Sequence, residues 1–256
     1  MTTRIYKILS AAAVLTSALM FYGCDVYTTH LCPSYILRYT EADGIKLSYH
    51  NDWEYEDTDN CIWIDLTFPG QDLIKDYSLT DKGKEKEMYD SLCRKHNDIG
   101  YNRKRSWYVL PPFPSSATSD FLSIEIFSDA DYDEAHPAGT NLADIVRYMG
   151  FSPYQYILSG YKDSYYYNPS EHSSAFNKYL AKFSNRGAYF AIDKMVPDLT
   201  PEDLTLPETE RTCMLHFEVA PTLASEHNIT VKIHTDDGKV FSASIPWKAE
   251  ESAETL

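Results

Sequence analysis

The residues with the most evident chemical capacity form one acidic run, Asp129-Ala130-Asp131-Tyr132-Asp133-Glu134-Ala135-His136. Carboxylates at alternate positions are how a loop wraps Ca²⁺ in oxygen ligands. The run departs from a calcium loop at two places: its sixth position is Glu134, where a glycine must turn the chain, and its twelfth is Thr140, not glutamate. The expectation is therefore an acidic loop between a strand and a helix, with no metal assigned. The eight histidines, His30, His50, His96, His136, His172, His216, His227 and His234, include no H-E-x-x-H and no i,i+4 pair, so zinc hydrolysis has no support. Ser159-Gly160-Tyr161-Lys162 matches S-x-x-K, the serine–lysine pair of penicillin-binding enzymes, but the companion S-D-N and K-T-G elements are missing. There is no G-x-S-x-G. With 38 acidic residues, a carboxylate pair for glycoside hydrolysis cannot be singled out. No catalytic residue and no cofactor are assigned.

A better binding signal is aromatic. Tyr154, Tyr156, Tyr161, Tyr165, Tyr166 and Tyr167 crowd one segment. Tyrosine offers a flat apolar face and a hydroxyl, which suits sugar rings and protein interfaces alike. Tyr161, Tyr165, Tyr166 and Tyr167 are the candidate binding residues. The competing reading is that tyrosine simply favours half-exposed sheets and rigid loops; in a chain with 21 tyrosines it takes the larger share.

The five cysteines divide into Cys24 and an even remainder: Cys32, Cys61, Cys93 and Cys213. In an oxidising compartment four cysteines permit two disulfides, in any of three pairings. Buried thiols are the equally weighted alternative. No C-x-x-C occurs, so neither a zinc knuckle nor a thioredoxin-type pair is indicated.

Cys24 closes a distinctive N-terminus. Arg4 and Lys7 form a basic head, Ile8 to Tyr22 an apolar core, and Gly23-Cys24 the end. This is an export signal, and its core is short of the roughly 20 residues that span a bilayer. A cysteine directly after a small residue is where a lipoprotein signal is cut and acylated. Several acyl chains on Cys24 would make a stable anchor, where one chain binds only marginally. With Phe21 and Tyr22 before it, the site resembles the looser lipoprotein signals of Bacteroidetes-type Gram-negative bacteria. Asp25 resembles a residue that favours the outer membrane in that group. The acidic run that would export such a protein to the surface is absent after Cys24, so the periplasmic and surface faces both stay open. Ser128-Asp129-Ala130-Asp131-Tyr132-Asp133, with His136-Pro137-Ala138-Gly139-Thr140-Asn141-Leu142, resembles a recurring segment of uncharacterised envelope lipoproteins of the same group. That resemblance implies a location and brings no functional residues.

The formal charge is −15, and loss of Arg4 and Lys7 with the signal would take it to −17. Nucleic acid binding needs clustered positive charge and is not expected. The one basic knot, Arg103-Lys104-Arg105, reads as a loop. Elsewhere apolar residues recur at period two, the mark of strands: Ile62 to Phe68, Leu122 to Ile126, Cys213 to Val219, Ile229 to Ile233 and Phe241 to Ile245. Asp236-Asp237-Gly238 between the last two predicts a hairpin turn. Weaker strands are expected around 34–40, 45–50, 106–110 and 188–192. Helical spacing is read over 82–96 (Met88, Tyr89, Leu92, Cys93), 141–149 (Leu142, Ile145, Val146, Met149) and 171–184 (Phe176, Tyr179, Leu180, Phe183), each taken as a face packing on a sheet.

These elements point to an α+β, β-rich fold with an antiparallel β-sandwich-like core and a few helical insertions. The divisions are a signal over 1–23, a tether over 24–33, a globular domain over 34–247 and a polar tail over 248–256. A Pro-rich stretch at 111–119 could divide the domain internally. The leading expectation is a lipid-anchored envelope protein with a non-catalytic binding or structural role, its partner a glycan or an envelope protein. A glycan-acting hydrolase and a pilus or adhesin-type subunit are the alternatives.

Overall fold

A computed structural model describes residues 29–49, 60–70, 73–106, 114–162, 169–180, 190–209 and 212–248. Its first strands are β1 (Thr29–Cys32), β2 (Arg38–Thr40), β3 (Gly44–Ser48), β4 (Cys61–Thr67), β5 (Asp76–Ser78), β6 (Arg103–Ser106) and β7 (Ser115–Ala117). They are followed by β8 (Phe121–Ser128), β9 (Val146–Ser152), β10 (Phe190–Met195), β11 (Cys213–Phe217), β12 (Glu226–Thr235) and β13 (Val240–Lys248). The helices are α1 (Gly83–Lys95), α2 (Tyr154–Leu158), α3 (Ser174–Leu180) and α4 (Pro201–Leu204). No helix among the described residues is long and apolar enough to cross a membrane.

The fold is α+β and β-sandwich-like, built on a five-stranded antiparallel sheet of order β10-β9-β11-β4-β3. One face packs on a three-stranded antiparallel sheet, β13-β12-β8, through Ile62, Ile64, Val146, Leu215 and Phe217 against Ile126, Ile229, Val231, Ile233 and Trp247. The other face is covered by α1, α2 and α3 with the segment around β2, where Trp63, Met149, Phe151 and Met214 meet Tyr39, Tyr89, Tyr156 and Phe176. Strand β2 lies in a small mixed sheet, antiparallel to β5 and parallel to β7. Thr29–Cys32, within the stretch read as a tether, is β1 and pairs with β6.

Burial on both faces explains where period-two reading succeeds and where it misleads. The hairpin forms as expected, with Ile229 opposite Ile245 and Ile233 opposite Phe241, and Gly238 taking φ +83° in its turn. The helix expected over 141–149 is instead a 3₁₀ turn, Ala143–Ile145, running into β9. A central strand covered on both sides is apolar at nearly every position, so it imitates the three- and four-residue spacing of a helix. The loop expected at Arg103-Lys104-Arg105 is likewise strand β6, because β1 supplies its backbone partners. Helix α1 buries Tyr89, Leu92 and Cys93 as expected, but Met88 points to solvent.

Gly150 has one demanding role in β9. A Cβ there would come within 2.9 Å of the Tyr148 ring, which folds over it inside the core. The four cysteines Cys32, Cys61, Cys93 and Cys213 are all buried thiols. Cys213 belongs to the core between the two sheets, while Cys61 and Cys93 belong to the core on the opposite face. Cys61 is on the strand next to Cys213, but register sets it opposite His216 and its side chain takes the other face of the sheet, with Cys93; side chains pointing apart cannot be bridged.

Candidate binding cleft

Buried ionisable groups are a common mark of a functional site, and the structure contains two such centres beside the C-terminal end of α1. The first is Asp120. Its carboxylate accepts from His96 Nε2 at 3.0 Å, Lys95 Nζ at 2.8 Å and the Leu206 amide at 2.9 Å. Lys95 also reaches Asp236 at 2.6 Å, and the Asp120 amide donates to Asp236 at 2.9 Å. Burial would raise the Asp120 carboxyl, but the His96 contact, the Leu206 amide and Lys95 outweigh it and hold the group down to about 2. The second is Asp98, fully buried, which accepts from the Tyr35 and Ile36 amides at 2.7 and 2.8 Å and from the Tyr161 hydroxyl at 2.8 Å. Here burial dominates and the carboxyl is raised despite those donors. Every partner of both carboxylates comes from the protein's own framework. Asp120 ties α1 to β8 and the hairpin turn, and Asp98 ties α1 to the segment entering β2.

The acidic run is similarly occupied. Asp129 accepts the Asn228 amide at 2.6 Å, and Asp131 accepts the Ala138 amide at 2.8 Å. Asp133 accepts the Ala135 and His136 amides at 2.8 and 2.9 Å. His136 sits between carboxylates, Nδ1 at 2.8 Å from Asp133 and Nε2 at 3.1 Å from Asp144. Burial works against its charge, but the two carboxylates prevail and raise its pKa. Tyr132 turns inward and donates to the Val219 carbonyl at 2.5 Å. The loop's carboxylates thus serve its own turns and the start of β12, and no group of three or more potential metal ligands occurs among the described residues.

Above that loop lies an open cleft of about 500 Å³, lined by Asp129, Ala130, Glu226, His227, Asn228, Pro246, Trp247 and Lys248. It sits at the end of β12–β13 away from the hairpin turn, where register sets Glu226 opposite Lys248, His227 opposite Trp247 and Asn228 opposite Pro246. Trp247 and His227 lie beneath it on the inner face of the sheet, each buried at 5% exposure. Trp247 stacks on Phe217 at 5.0 Å and on Tyr132 at 5.9 Å, with His227 at 5.6 Å. His227 is fixed at both nitrogens: Nε2 donates to the Ala224 carbonyl at 2.9 Å, and Nδ1 lies 2.7 Å from the Ser128 hydroxyl. That serine–histidine contact has the reach of a nucleophile and its base, but Ser128 is buried and its oxygen also accepts the Ala130 amide at 3.1 Å. It braces the loop. The rim is polar and exposed: Glu226, Asn228 and Lys248 stand in solvent, with Lys248 and Glu226 paired at 3.5 Å.

The sequence-derived sites fare unevenly. Cys24 and Tyr165, Tyr166 and Tyr167 lie outside the described residues. Tyr161 is in the core, not on a surface: its ring packs edge-on to Tyr101 and Tyr156, and its backbone has φ +62° just after α2. The neighbouring Ser159 hydroxyl donates to the Tyr156 carbonyl at 2.8 Å, so the S-x-x-K pattern belongs to a helix end. Sequence reading missed the cleft: the period-two pattern of β12 and β13 runs on to His227 and Trp247, which it marks as inward-facing, and the exposed Glu226, Asn228 and Lys248 beside them carry no pattern of their own. Comparison with protein-family models, with curated proteins and with solved structures finds no match for this chain.

Proposed function

We propose that this chain is a lipid-anchored cell-envelope protein with a non-catalytic binding role, and that the cleft at the Glu226–Lys248 end of β12 and β13 receives a neutral glycan. The cleft carries the reading. Glu226, Asn228 and Lys248 present a carboxylate, an amide and an ammonium side by side on the exposed face of its rim, and such groups suit the hydroxyls of a sugar. The lining bears Asp129 and Glu226 against Lys248 alone, which disfavours anionic ligands. The export signal ending in Gly23-Cys24 and the likeness of residues 128–142 to Bacteroidetes-type envelope lipoproteins support an outer-membrane location, facing either the periplasm or the surface.

Calorimetric titration of neutral oligosaccharides into the purified protein tests this. Saturable binding without turnover is expected. Asn228→Ala or Glu226→Ala should weaken it about tenfold, the loss of one or two hydrogen bonds, at unchanged melting temperature. Release of reducing ends would instead make the protein a hydrolase. Absence of saturable binding, together with ladder-like multimers, would make it a structural subunit, while capture of a protein segment at the same rim would replace the glycan.

A further inference from the structure

We infer that the end of the domain formed by the β1–β6 ribbon, the turn after α1 and helix α2 lies against the phosphate-bearing lipid surface to which the chain is tethered. The inference rests on the reading that Cys24 is acylated. From Cys24 to Thr29 is a span of five residues, at most about 18 Å when fully extended. Strand β1 therefore begins within that distance of the headgroups, and β1 is not loose. Cys32 is buried opposite Arg103, whose guanidinium donates to the Tyr156 hydroxyl at 3.1 Å and the Tyr161 carbonyl at 2.7 Å. The Tyr101 amide donates to the Pro33 carbonyl at 2.9 Å, and the Gly100 amide to the Tyr161 hydroxyl at 3.3 Å. The point of entry is thus fixed to one end of the molecule.

That end carries what an interfacial surface requires. Leu31 is 63% exposed, Ile99 59% and Leu158 46%, and each adjoins the Tyr35, Tyr101, Tyr156 and Tyr161 cluster in sequence or by strand pairing. Leu31 stands directly opposite Lys104, on the same face of the ribbon. Lys104 and Lys162 are exposed beside these apolar groups in a chain whose net charge is −15. Apolar side chains that enter the acyl boundary, with lysines reaching phosphates, are the composition of a surface that rests on a membrane. The acidic run and the cleft belong to the β8, β12 and β13 end of the other layer.

The test uses the full chain, produced with its signal and reconstituted in vesicles of phosphatidylethanolamine and phosphatidylglycerol. The thiols of Cys32, Cys61, Cys93 and Cys213 are buried, so a nitroxide attaches selectively to Leu31→Cys, Ile99→Cys or Leu158→Cys, with Leu122→Cys and Val240→Cys as controls on the outer sheet. Power saturation should show oxygen access relative to a water-soluble nickel complex several-fold higher at 31, 99 and 158 than at 122 and 240. Equal, water-like values at all these positions in acylated protein would overturn the inference and leave the anchor reading intact. An unacylated Cys24, seen by the mass of the N-terminal peptide, would overturn both.

Discussion

Asp120→Ala should cost on the order of 3–5 kcal/mol of folding stability, the usual result of removing one partner from a buried ion pair. The substitution strands Lys95, His96 and the Leu206 amide at once, and these hold α1, the start of β8 and the loop after α4 together. Urea unfolding followed by circular dichroism checks it. Lys95→Met in the same background should cost much less than it does alone, because its main partner is already gone. The pH dependence has a definite sign. The folded carboxyl is held at about 2, below the roughly 3.9 of an unfolded aspartate. Its stabilisation is therefore full above the unfolded value and is lost as pH falls toward 2. That contribution is roughly 2–3 kcal/mol, and Asp120→Asn should flatten this acid limb of the stability curve.

The second large effect is expected at Asp98→Ala. It leaves the Tyr35 and Ile36 amides and the Tyr161 hydroxyl without their acceptor in a fully buried place. Each stranded donor costs about 1–3 kcal/mol, so several kcal/mol should be lost, with the segment entering β2 the first to open. Hydrogen exchange at Tyr35 and Ile36 reports that opening directly. Tyr161→Phe removes one of the three donors and should cost only about 1 kcal/mol. It should leave ligand binding untouched, because Tyr161 is interior. The raised carboxyl of Asp98 acts with pH in the opposite sense to Asp120: its contribution is greatest below the unfolded value and diminishes as pH climbs through the raised one.

The two-sheet core was legible from sequence because alternation survives wherever one face of a strand is more polar. Glu125, Thr230, Lys232, Ser242 and Ser244 mark the outer face of the β8–β12–β13 sheet, and the hairpin follows from them with Gly238. Strand β9 was not legible. Covered on both sides, Val146, Tyr148, Met149 and Phe151 carry no period that separates strand from helix. The basic triplet in β6 reads as a loop because its pairing with β1 is contributed by residues far away in the chain. Tyr161 illustrates a different limit. Tyrosine signals surface recognition and core hydrogen bonding equally well, and only the distant Asp98 decides between them. The cleft depends on register, since Glu226–Lys248 and His227–Trp247 come together only when β12 and β13 pair to their ends. Asp120 was passed over because a lone aspartate before a strand has no pattern; its weight comes from His96, Lys95 and Leu206 converging on it.

Metabolic labelling with radioactive palmitate, followed by fractionation of the producing cells, tests the central claim most directly. The wild-type chain should carry label and sediment with the outer membrane, and Cys24→Ala should carry none and leave that fraction. Unlabelled wild-type protein, or equal labelling of Cys24→Ala, would contradict the lipid-anchored account.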